Sequence, residues 1–219
     1  KYAQSKGMYV ILDGKRNDIG ATMEAYSSAY LGNTDVFGEK EAAFGADSLT
    51  VNGYLGTDGI APALKTGGSI FVLVKTSNKS SGELQDRRLC DGKTIYETMG
   101  DMCEKWGADS IGSYGYSAVG AVVGATYPAM LAEMREKLPH TFFLVPGYGA
   151  QGGGAEGVAM GFDKNGLGAI VNSSRAVMCA YKKEGCDERE YAAAARREVL
   201  RMKEDITSHI PKIKAPENN

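Results

Sequence analysis

Val10-Ile11-Leu12-Asp13-Gly14-Lys15-Arg16-Asn17-Asp18-Ile19-Gly20 runs from an apolar strand through a dense set of charges to a helix start. Side chains of a strand alternate between its faces, so Asp13 and Lys15 are expected on the same side. Asp18 follows in the loop. Two carboxylates around one lysine favour its ammonium form. Such a group, held in a closed pocket, suits a reaction that makes a carbanion and then protonates it. A structural salt bridge at a strand end is the bland alternative. The Gly and Asn beside the charges, and the buried strand before them, weigh against it.

Further apolar runs recur along the chain: Met8–Leu12, Ser48–Asn52, Ser69–Val74, Val119–Gly124, Thr141–Val145 and Gly168–Asn172. Their hydrophobicity is continuous rather than alternating, as in parallel strands covered on both faces. Helical patterns lie between them, at Ile19–Leu31, Thr94–Trp106 and Pro128–Leu138, with a terminal helix over Glu188–Ile210. The stretch Asn33–Lys40 reads as a surface insertion. Strands alternating with helices make about six βα units, in one domain over residues 1–219. A (β/α)8 TIM barrel of roughly 250 residues needs eight. The first residues, Lys1 to Gly7, read as a helix end and a glycine stop before a buried strand. The expected fold is therefore a TIM (β/α)8 barrel, incomplete at its N-terminal end. An open doubly wound sheet is the weaker alternative, because polar residues follow nearly every strand.

Three more strand ends carry chemistry. Phe143-Leu144-Val145-Pro146-Gly147-Tyr148-Gly149-Ala150-Gln151-Gly152-Gly153-Gly154 exposes backbone N–H groups that suit an anion, and Gln151 offers both donor and acceptor. Ala169-Ile170-Val171-Asn172-Ser173-Ser174-Arg175-Ala176 ends a strand in hydroxyls and a guanidinium, a planar fork for phosphate. Val72-Leu73-Val74-Lys75-Thr76-Ser77-Asn78 places hydroxyl and amide groups where a base could bind. Taken singly, these are a flexible turn, a surface charge and a capped loop.

Composition narrows the classes. The chain has 43% hydrophobic and 24% charged residues, with a formal net charge of −2. No global field recruits nucleic acid or an anionic membrane, and no apolar run approaches the roughly 20 residues of a membrane helix. Cys90, Cys103, Cys179 and Cys186 show no C-x-x-C spacing, so neither a zinc site nor a redox motif is indicated, and a reduced, cytoplasmic setting is expected. The only histidines, His140 and His209, lie away from the polar clusters. Lys, Asp, Arg, Gln and backbone amides are left to do the chemistry.

In joint order, Leu12–Thr22, Thr50–Gly56, Val72–Asn78, Val122–Pro128, Leu144–Gly153 and Val171–Ala176 resemble the orotidine 5′-phosphate decarboxylase family, in particular its bacterial second-type branch. The resemblance covers residues near 8 to near 181. It implies a cytoplasmic, homodimeric TIM-barrel lyase of UMP biosynthesis, with no metal and no organic cofactor, converting orotidine monophosphate to UMP and CO2. It implies Lys15 as proton donor to pyrimidine C6 and Asp13 against the substrate carboxylate. Asp18 would cross to the partner's charge network, with Ile19 and Thr22 lining that partner's pocket. Ser77 and Asn78 match the base-contacting position, Pro146, Tyr148 and Gln151 the closing loop, and Ser174 and Arg175 the phosphate grip. The family also uses an Asp and a Lys from two earlier strands, which this chain does not contain, and Gly53 stands where Pro is common. The rival readings are a magnesium-dependent sugar-phosphate decarboxylase or aldolase of the same suprafamily, and an inactive barrel fragment.

Overall fold

The computed structural model describes residues 1–149 and 153–214, which form two compact units. The first comprises Lys1–Lys75, Ser80–Val122 and Leu138–Phe142. It begins with α1 (Tyr2–Ser5), a single turn followed by Gly7 at φ +77°, a left-handed stop that glycine tolerates. Then come β1 (Ile11–Arg16) and α2 (Gly20–Tyr30). The expected surface insertion is an exposed hairpin of β2 (Thr34–Val36) and β3 (Glu39–Glu41). Its two-residue turn, Phe37-Gly38, has positive φ at both positions, which matches the twist of the flanking strands.

The unit continues through β4 (Ser48–Val51), a 3-10 segment over Gly53–Gly59, α3 (Ala61–Leu64), β5 (Ser69–Lys75), α4 (Ile95–Gly107) and β6 (Val119–Val123). The strands lie in the order β1-β4-β5-β6, with β1–β4 and β4–β5 parallel. Leu49, Val51, Ile70 and Val72 of these strands are fully buried with Met23 of α2 and Cys103 of α4. Helix α4 starts on a capping box: Thr94 Oγ1 accepts from Glu97 N–H while the Glu97 carboxylate accepts from Thr94 N–H.

One strand departs from expectation. The ladder of β1 starts at Ile11 and runs through the charges to Arg16, whereas the apolar pattern placed the strand over Met8–Leu12. Met8 and Tyr9 are exposed. The register explains the difference. Leu12 pairs with Leu49 and Arg16 with Val51, so Asp13, Gly14 and Lys15 together face the single residue Thr50. That is a bulge with two extra residues, and Lys15 within it takes φ +48°.

The second unit comprises Thr76–Lys79, Val123–Lys137 and Phe143–Asn219. It holds α5 (Pro128–Lys137), β7 (Phe143–Pro146), α6 (Ala155–Ala159), β8 (Ala169–Asn172), α7 (Ser174–Met178), α8 (Ala180–Glu184) and α9 (Tyr191–Thr207). Strands β7 and β8 are parallel, in register from Phe143↔Ala169 to Pro146↔Asn172. Leu131, Phe143, Val145, Val158 and Ala194 are fully buried. The Arg135 guanidinium, nearly buried, donates to Gly168 O at 3.1 Å and lies 4.2 Å from the Phe143 ring centre. Among the described residues no helix is long and apolar enough to cross a membrane.

Candidate active site

In the first unit the carboxyl end of β1 presents a compact ion pair. Lys15 Nζ lies 2.6 Å from Asp13 Oδ1. Simple alternation is not what joins them, since the backbone between them is bulged. Thr50 holds the distorted segment: its Oγ1 accepts from Lys15 N–H at 3.0 Å and donates to Asp13 Oδ1 at 2.8 Å. Partial burial pushes the Asp13 carboxyl up. The Lys15 ammonium and the Thr50 hydroxyl bonded to it outweigh that and hold it below the usual carboxylate range.

Asp18 takes no part in this pair, and its Oδ1 accepts from the N–H of Ile19 at 2.8 Å. Asp18, Ile19 and Thr22 bracket the start of α2; Ile19 and Thr22 are exposed, and Asp18 is half-buried. Asn17 ties the intervening loop down by donating from Nδ2 to Asn52 O. The expectation of one ammonium between two carboxylates of the same chain is therefore met by Asp13 alone.

In the second unit a cleft is lined by Ser77, Pro146, Gly147, Tyr148 and the run Asn172 to Arg175. Ser77 reaches it because Gly124 carries no side chain: a Cβ there would lie 3.0 Å from Ser77 Cβ and 3.2 Å from its backbone N. Gly147 and Gly149 both take positive φ, so β7 can turn sharply out of the sheet. The Gly149 N–H to Gly153 O bond joins the two flanks of that loop. Tyr148 is buried, and its hydroxyl donates to Asp205 of α9. Burial pushes the phenol up, and the Asp205 acceptor adds to this. Ser173 Oγ donates to Tyr148 O at 3.4 Å. Arg175 has no acidic partner among the described residues, so its guanidinium is available to an anion.

Of the residues expected here, Ser77, Pro146, Tyr148, Ser174 and Arg175 do line the cleft. Asn78 is exposed outside it, and its side-chain oxygen accepts from Thr76. Gln151 lies outside the described residues. Ser173, of the expected Ser-Ser-Arg phosphate run, lines the cleft too; Gly147 and Asn172 join the lining and Thr50 joins the ion pair, and no sequence signal marks these last three individually. Nor does the sequence pattern mark Lys75. At the end of β5 it is 2% exposed, with Nζ 2.6 Å from Asp86 Oδ1 and 3.1 Å from Ser81 Oγ.

Comparison with known proteins identifies the family. The family model described as orotidine 5′-phosphate decarboxylase / HUMPS family matches residues 1–185. The chain belongs to that family. It is 45% identical over 213 residues to the orotidine 5′-phosphate decarboxylase of Rhodopirellula baltica, covering 94% of this chain and 69% of the relative. It is 50% identical over 188 residues to that of Caldicellulosiruptor bescii, covering 83% of this chain and 61% of the relative. The chain thus spans about two thirds of the length of these decarboxylases. Among solved structures it resembles the OMP decarboxylase of Leishmania donovani, with a TM-score of 0.70, 30% identity and coverage of 92% of this chain and 69% of that one. It also resembles the UMP synthase of the same organism, with a TM-score of 0.69, 32% identity and coverage of 90% and 39%. The fold class of this family member is the expected TIM (β/α)8 barrel.

Proposed function

We propose that the protein carrying this chain is an orotidine 5′-phosphate decarboxylase, releasing CO2 from orotidine monophosphate to give UMP. The observation that carries this reading is the Asp13–Lys15 pair, set at 2.6 Å on a bulged strand end. When the bond from C6 to the carboxyl carbon breaks, its electron pair stays on C6. A fixed ammonium stabilises that charge as it forms, and Lys15 Nζ then gives C6 its proton. Asp13 fixes the ammonium and lies against the departing carboxylate. Arg175 and Ser174 grip the phosphate, whose binding energy orients the base; Ser77 contacts the base, and Pro146, Tyr148 and Gln151 belong to the loop that closes on it. The protein works in the cytoplasm as a homodimer, with Asp18, Ile19 and Thr22, all at the start of α2, serving the partner's pocket.

The test is the fall in orotidine monophosphate absorbance on mixing. Lys15→Ala is expected to lower turnover by about a thousandfold or more; near-normal turnover would remove Lys15 from the mechanism. Turnover is expected to persist in chelator, and its abolition there would count against this reading.

A further inference from the structure

Thr50 is an uncharged, β-branched residue in the middle of a buried strand, 1% exposed, and its type suggests core packing. Its hydroxyl does something else. A hydroxyl has one proton and two lone pairs. Here the proton goes to Asp13 Oδ1 at 2.8 Å, while Leu12 O is 3.5 Å away, and a lone pair takes the Lys15 N–H at 3.0 Å. That N–H has left the β1–β4 ladder because three residues of β1 face this one residue of β4. Without the hydroxyl it would lose its partner, at a residue whose φ of +48° is already unfavourable for any residue bearing a Cβ.

The two bonds to Asp13, from Lys15 Nζ and from Thr50 Oγ1, converge on Oδ1. They leave Oδ2 without a partner among the described residues. One carboxylate oxygen is thus fixed and the other is presented outward. Most of the Asp13 and Lys15 side-chain surface is open, 67% and 52%, so packing does not orient them. A surface ion pair alone is a weak positioning device.

We propose that Thr50 is a positioning residue for the decarboxylation, holding the Lys15 backbone and the Asp13 carboxylate in their working geometry through one hydroxyl. This rests on the decarboxylase reading above. Lys15 is the one charged group acting on Asp13 among the described residues, and β4, the strand paired with it, carries none. The Asp13 titration therefore reports on the Lys15 ammonium and the Thr50 hydroxyl together, and removing the hydroxyl alone isolates its share.

The experiment compares Thr50→Val, which keeps the shape and removes the hydroxyl, with Thr50→Ser, which restores it, in the enzyme bearing the full chain. Thr50→Val is expected to lower kcat about tenfold or more, the worth of a hydrogen bond to a charged group, with KM for orotidine monophosphate nearly unchanged. Carbon-13 NMR of the Asp13 carboxyl should show its titration moved upward in Thr50→Val and near wild type in Thr50→Ser. A Thr50→Val enzyme with kcat within twofold of wild type, or an unmoved Asp13 titration, would overturn the proposal. So would a folded Thr50→Ser enzyme as damaged as Thr50→Val, since packing would then be the cause. Should Thr50→Val fail to fold, the serine variant alone still decides, by near-normal or collapsed kcat. The NMR arm needs no turnover: if the wild type proves inactive on orotidine monophosphate, the functional reading falls while the titration still tests Thr50.

Discussion

Two glycines show how tightly the loops around the charges are built. A Cβ at Gly59 would lie 1.9 Å from Asn17 Oδ1 and 2.7 Å from its Cγ, so the Asn17 amide occupies the space a side chain would need. Among the described residues Asn17 Oδ1 is buried without a hydrogen-bond partner, while Nδ2 is held by Asn52 O. Gly59→Ala is therefore expected to push Asn17 out, destabilising the fold by about 1–3 kcal/mol. Urea denaturation measures that loss, and a stability unchanged from wild type would show that Asn17 moves freely. Gly53 has a similar explanation. A Cβ there would meet Met99 Sδ at 2.6 Å and Val72 Cγ1 at 2.9 Å, so the methionine fills the space a side chain would need. Charged residues two apart at a strand end announce themselves in a sequence. Thr50 does not, because a buried threonine in a strand looks the same whether its hydroxyl is idle or employed.

Among the elements, the terminal helix was expected over Glu188–Ile210 from its Ala, Arg and Glu content, and α9 forms over Tyr191–Thr207 after a 3-10 turn at Glu188–Glu190. Its work was not legible. Tyr148 and Asp205 are 57 residues apart, and no local pattern links them. Helix spacing does bring Glu198, Arg201 and Asp205 to one face. Arg201 forks onto both Glu198 oxygens at 2.8 and 2.7 Å and reaches toward Asp205, 3.9 Å away. The Arg201 bond is the main reason the nearly buried Glu198 carboxyl sits below the usual range. Because its value is depressed in the folded state, its stabilisation is complete above the ordinary glutamate range, about pH 4.3, and is lost as pH falls through the folded value. Wild-type stability to urea should thus drop on acidification below that range, and Glu198→Gln should flatten part of the drop. Equal acid slopes in the two proteins would show that the pair contributes nothing.

For the molecule as a whole, continuous apolar strands alternating with helices were enough to indicate the barrel class, and each of the six sheet strands forms within a few residues of its expected place. Hydrophobic pattern does not report where a ladder skips. It placed β1 three residues early and gave no sign of the bulge. That bulge has an arithmetic consequence. Between Leu12 and Arg16 the chain advances four positions while β4 advances two, from Leu49 to Val51. The excess is even, so the strand regains its facing after the detour, whereas a slip of one residue would send every later side chain to the other side. Removing Gly14 and Lys15 together should therefore leave a plain strand and a folded but inert protein, whereas removing Gly14 alone should cost far more in melting temperature. If both deletions melt alike, parity is not what keeps the strand in place. Lys15, the proposed proton donor, thus sits in a two-residue insert spliced into an otherwise ordinary strand, and the rest of the ladder is built as if the insert were not there.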